Sequence, residues 1–144
     1  MIALLNQQRD GHWTPDHIFN YAEAKWGPFD LDVAASISNS KCERYFAEYD
    51  NGLEQDWVAE NIWCNPPYSK ILSWVTKACN QVECGNCKRV VMLLPAHTAT
   101  KWFHFALANG TVEFIQGKIS FGGTKRQPFF GSVWVIFESR EVSK

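Results

Sequence analysis

An α/β fold with a mainly parallel sheet and helices on both faces is predicted by three observations. Segments with apolar residues at helical spacing alternate with short apolar strands along the chain. The run from Arg89 to Leu94 is apolar after its first residue, the mark of a strand covered on both faces. The segment Asn61 to Cys64 stops abruptly at Asn65-Pro66-Pro67, just before a helical pattern. With 144 residues, the chain suits one compact domain over 1–144.

The elements follow in order. Thr14 is placed to cap a helix opening with Pro15, a favoured first-turn residue. Ile18, Phe19 and Ala22 form its apolar face, and Gly27-Pro28 ends it. Phe29 to Ala34 reads as a strand and its exit, broken by Asp30 and Asp32, and Tyr45-Phe46 as a second, short strand. After Asn61 to Cys64, Ser69 is the candidate cap of a helix carrying Ile71, Trp74, Val75, Ala78 and Val82, closed by Gly85. The buried strand ends at Pro95. A helix over Thr100 to Ala108 follows, then strands over Thr111 to Ile115 and Lys118 to Phe121. Gly122 to Pro128 is a polar, basic loop, and Ser132 to Phe137 the last strand. Folds of this class place ligands beyond the carboxyl ends of their strands.

Composition narrows the function classes. At 46% hydrophobic the chain can bury a core, and no apolar run reaches the ~18 residues of a membrane span. The opening Met1 to Arg9 is too short and too polar for a secretory signal, so the expected setting is cytoplasmic, with five reduced cysteines. Cys84 and Cys87 form a lone CxxC pair, with Cys79 as a third thiol, and no metal site is expected from them. Net charge is −1, but it is unevenly spread. Residues 1–60 hold 4 Lys/Arg against 11 Asp/Glu, whereas residues 61–144 hold 10 against 4. A basic second half can offer phosphates a face despite the neutral total. No obligate protein partner is evident.

The chemistry concentrates in Asn65-Pro66-Pro67-Tyr68. An aromatic amine such as the adenine N6 amine is a poor nucleophile, because its lone pair is delocalised into the ring. The Asn65 side-chain oxygen and the Pro66 carbonyl are two acceptors for its two N–H groups. Accepting both bonds favours a more tetrahedral nitrogen with its lone pair free to attack a methyl donor. The prolines hold these acceptors in place. Tyr68 offers a flat face on which an extruded base can stack. The tetrapeptide alone suits several amines: adenine in DNA or RNA, cytosine N4, or a protein amide. A degenerate domain that binds without turnover would keep the same residues.

The wider pattern resembles the phage-type DNA N6-adenine methyltransferase family. It does so through Trp13-Thr14-Pro15, Phe29 to Ser36, Asp50 to Leu53, Trp57, Trp63 to Tyr68, Leu93 to Ala96 and Phe130-Gly131-Ser132. The resemblance runs from about Trp13 to Phe137. It implies a Rossmann-like methyltransferase fold, S-adenosylmethionine as donor, S-adenosylhomocysteine as product and DNA as partner, in the host cytoplasm if the protein is phage-encoded. By the same resemblance Asn65 to Tyr68 (Asn65, Pro66, Pro67 and Tyr68) are catalytic. Trp13, Thr14 and Pro15 lie near the methionine end of the cofactor. Asp32, Ala34 and Ser36 belong to the strand exit that holds it, and Asp50, ahead of Asp56, is the candidate for its ribose or adenosine. Lys118, Lys125 and Arg126 are candidate phosphate contacts, and His97 a candidate substrate contact or a peripheral residue. One departure is plain: Val33-Ala34-Ala35-Ser36 stands where many methyltransferases have a glycine-rich loop. The short spacing from Asp32 to Asn65 also leaves little room for further strand units, so a reduced version of the fold is expected.

Overall fold

A computed structural model describes residues 13–36, 38–121 and 130–140. Among them, helix α1 spans Asp16–Trp26, strand β1 Leu31–Asp32, β2 Asn61–Cys64, α2 Ile71–Glu83, β3 Arg89–Pro95, α3 Lys101–Asn109, β4 Thr111–Phe114 and β5 Ser132–Glu138. Short 3-10 turns cover Glu48–Asp50, Gly52–Glu54 and Tyr68–Lys70. The sheet order is β1-β2-β3-β5-β4. β1, β2 and β3 are parallel neighbours, while β5 runs antiparallel to both β3 and β4. Four of the five strands therefore point the same way, and the fold is the expected α/β, Rossmann-like arrangement in reduced form.

The two faces of the sheet carry two cores because side chains alternate along each strand. Val90, Met92 and Leu94 of β3, with Val133, Val135 and Phe137 of β5, face α2 and α3, which supply Trp74, Val75, Ala78, Phe103 and Ala106. Val91 and Leu93, with Trp134 and Ile136, face α1 through Phe19, Ala22 and Trp26. On that side Trp63 meets Phe19 edge-on at 5.0 Å and Trp134 at 6.0 Å. Such aromatic pairs add to the area they bury. Among the described residues no helix is long and apolar enough to cross a membrane.

Several expected elements differ. Thr14 does not cap α1: Pro15 is the capping residue and no side-chain cap bond forms, which leaves the Thr14 hydroxyl for another partner. Ser69 does not cap α2 either; it lies inside the turn Tyr68–Lys70, and Lys70 takes the capping place. β1 is two residues long rather than six, and Tyr45 adds only a single parallel bridge to Asp32. Lys118 to Phe121 is not a strand. Its alternation is real, with Ile119 and Phe121 buried and Lys118 and Ser120 exposed. However, among the described residues it enters no ladder: β5 is flanked by β3 and β4, and no pairing forms on the outer edge of β4.

Candidate active site

The parallel strands β1 and β2 end side by side. Asp32 is in register with Trp63, and Asn65 follows two residues later. Between these ends and the loops that leave them lies a cavity of about 250 Å³. Of the candidates named above, Trp13, Thr14, Asp32, Ala34, Asn65 and Pro67 line it. They come from three places that are distant in sequence, gathered at the carboxyl edge of the sheet.

Asp32 is the electrostatic centre. It is 3% exposed, and its two carboxylate oxygens accept the backbone N–H groups of Lys41 at 2.9 Å and Ala34 at 3.2 Å. Burial pushes its carboxyl up to about 6, although these bonds and the Lys41 charge pull the other way. A buried carboxylate held at a cavity wall favours a cation or hydroxyl groups beside it. The segment after β1 is tied down by Ser36, whose N–H donates to Asn39 Oδ1 at 2.9 Å. Ser36 itself is buried and does not line the cavity.

Asn65 is held from across the chain. Its Nδ2 donates to Thr14 Oγ1 at 2.9 Å, and both side chains are buried. Beyond it, Tyr68 meets Phe130 edge-on at 5.8 Å and Phe121 at 6.5 Å, and Phe130 in turn meets His97 at 5.2 Å. This aromatic group continues the site from the end of β2 to the end of β3. Burial also raises the Tyr68 hydroxyl well above its ordinary value, so Tyr68 presents a neutral ring.

The rest of the wall is not visible in the sequence as a motif. Glu48, Asn51, Gly52 and Leu53 reach the cavity from the turns after Tyr45, joined by Asn39, Lys41, Phe46, Lys70 and Trp74. Asp50 is not among the lining residues; its Oδ2 accepts the N–H of Ala47 at 2.8 Å and shapes the turn that presents Glu48. Asn51 takes the left-handed conformation there, at φ 53°. The sequence signal is the Glu48 to Gly52 cluster of turn residues, whose lining members cannot be told apart by type. Pro15 borders an adjoining depression with Trp13 and Thr14. Lys118 is exposed beyond β4, while Lys125 and Arg126 lie outside the described residues.

This geometry, with a buried acid and an Asn-Pro-Pro-Tyr loop at adjoining strand ends, coincides with a family match over nearly the whole chain. The model of the DNA N-6-adenine-methyltransferase (Dam) family matches residues 2–141. The chain belongs to the Dam family. Among its relatives, this chain is 40% identical over 102 residues to the DNA N-6-adenine-methyltransferase of Escherichia phage T1. That alignment covers 70% of this chain and 42% of the phage protein. It is also 40% identical over 97 residues to the DNA N-6-adenine-methyltransferase of Haemophilus phage HP1, covering 67% of this chain and 56% of that one. The chain thus spans about half the length of these curated relatives.

Proposed function

We propose that this Dam-family chain transfers a methyl group from S-adenosylmethionine to the N6 amine of adenine in DNA. One observation carries the reading: Asn65, first residue of the Asn-Pro-Pro-Tyr loop, lines the same cavity as the buried Asp32. The donor set fits such a cofactor. Asp32 suits its ammonium group, Glu48 and Asn51 suit ribose hydroxyls, and Phe46, Trp63 and Trp74 supply flat walls for an adenine ring. Bound there, the cofactor supplies an electrophilic methyl group.

The chain's own residues do the rest. Asn65 Oδ1 and the Pro66 carbonyl accept the two N–H groups of the target amine, which leaves its lone pair to face the methyl carbon. Pro66 and Pro67 hold that loop with little entropy left to lose. Tyr68 takes the face of an adenine extruded from the duplex. The nitrogen's surplus proton leaves to water, and no side chain of high basicity is required. Lys118, Lys125 and Arg126 meet phosphates from the basic half of the chain.

The test is methyl transfer from labelled S-adenosylmethionine to DNA, RNA and protein in parallel, followed by nucleoside analysis. The expected product is N6-methyladenine in DNA with release of S-adenosylhomocysteine. Label at cytosine N4, in RNA or in protein would move the substrate; label nowhere would leave a domain that binds without turnover.

A further inference from the structure

We propose that Thr14 is the positioning residue that decides which way the Asn65 amide faces. The inference rests on the methyl-transfer reading above. A side-chain amide has one accepting end and one donating end, and half a turn about its last bond exchanges them. That torsion is soft for asparagine. The prolines of the loop fix its backbone and leave the torsion untouched. The target amine can donate only to Oδ1, so the inverted amide would set N–H against N–H.

The reactive orientation puts Nδ2 on the other side, where it needs an acceptor, since a buried NH₂ group without one is costly. Thr14 Oγ1 is that acceptor, 2.9 Å away, with Thr14 5% and Asn65 9% exposed. The local sequence keeps the hydroxyl available. Pro15, with φ −60°, takes the capping position of α1, and no side chain caps the helix. A threonine that looks like a helix cap therefore serves a loop 51 residues away.

The test uses Thr14→Val, which keeps the shape without the hydroxyl, and Thr14→Ser, which keeps the hydroxyl. Three quantities are measured on the whole chain: steady-state methylation of DNA, affinity for S-adenosylhomocysteine by calorimetry, and hydrogen exchange of the ¹⁵N-labelled Asn65 side-chain amide. In Thr14→Val, kcat should fall roughly tenfold to a hundredfold, as for other small misplacements of a reacting group. Product affinity should stay within about twofold, since ground-state binding is untouched. The Asn65 amide should exchange faster than in the wild type, and Thr14→Ser should restore both kcat and slow exchange. An unchanged kcat in Thr14→Val overturns the inference. So does a loss confined to cofactor affinity, which would make Thr14 a cofactor contact. If Thr14→Val does not fold, the wild type still decides: an Asn65 amide exchanging as fast as that of exposed Asn20 would show that no such hold exists. Absence of methyl transfer by the wild type, with the Asn65 amide protected, would sink the functional reading instead.

Discussion

Gly52 lies so close under Trp74 that a Cβ added to it would stand 3.0 Å from Trp74 Cη2 and 2.3 Å from the Val33 carbonyl oxygen. Three elements meet at this point: the exit of β1, the turns after Tyr45, and α2. The Gly52 carbonyl also accepts the Trp57 indole N–H at 2.8 Å, and Trp57 stacks on Trp74 with ring centres 6.1 Å apart. The cavity wall is thus closed by a backbone approach that only a glycine allows. Gly52→Ala should cost about 1–3 kcal/mol, the usual range for overpacking, and should weaken cofactor binding as the wall shifts. Thermal melts and calorimetry check both. A variant with wild-type stability and affinity would mean that Val33 and Trp74 yield freely.

With the cofactor ammonium placed on Asp32 as proposed, the raised carboxyl predicts a definite pH dependence of binding. The folded protein keeps this proton up to about pH 6, against 3.8 for an ordinary carboxyl. Folded-state protonation therefore exceeds that of the unfolded chain between these values, and Asp32's contribution to ligand-free stability declines as pH rises through them. A bound ammonium reverses the preference, because it requires the ionised form. Affinity for S-adenosylhomocysteine should improve roughly tenfold from about pH 5 to about pH 7. In Asp32→Ala, affinity should be weak and nearly flat over the same range. Calorimetry across this window is the check; a flat wild-type profile would place the cation elsewhere.

On the proposed reading, in which its oxygen acts on the amine as charge develops, Asn65→Ala should lose methyl transfer almost completely while cofactor affinity stays within about threefold. If the ring face meets the base as proposed, Tyr68→Phe should retain most activity and Tyr68→Ala little. Single-turnover methylation of duplex DNA separates these variants. Full activity in Tyr68→Ala would remove the stacking role.

Neutralising Lys125 and Arg126 together should weaken binding to cognate and random duplexes by similar factors. The slope of log affinity against log salt should flatten by about 0.9 for each phosphate that no longer meets a cationic side chain. Titrations over a salt series measure it. Weakening on the cognate duplex alone would make these residues base readers.

What is legible in the sequence is whatever is enforced locally. β2 and β3 can be read to within a residue, because a strand buried on both faces needs uninterrupted apolar side chains and prolines end it. The Asn65 to Tyr68 loop is legible for the same reason: prolines in that spacing have few other uses. What stays hidden depends on partners far along the chain. The alternation of Lys118 to Phe121 is that of a strand, yet among the described residues it joins no ladder, neither on β5 nor on the outer edge of β4. Thr14 before Pro15 reads as a cap, and only the folded chain brings Asn65 to it. Glu48, Asn51, Gly52 and Leu53 are turn residues that only their neighbours bring to the cavity wall. The reversed direction of β5 has one faint sign, the lack of a helical pattern between β4 and β5.

The placement of β5 also constrains how this protein can be assembled. It follows β3 and β4 in sequence yet lies between them, so those two strands share no edge until it arrives. A nascent chain that has reached Phe121 carries β4 with no neighbour and β3 with one flank bare, an apolar template for mispairing. The sheet is closed by insertion, not by zipping outward from a finished edge, and this demands long-range loop closure late in folding. Chains stalled before Ser132 should therefore be chaperone clients and aggregation seeds, even with every residue of the Asn65 to Tyr68 loop already made.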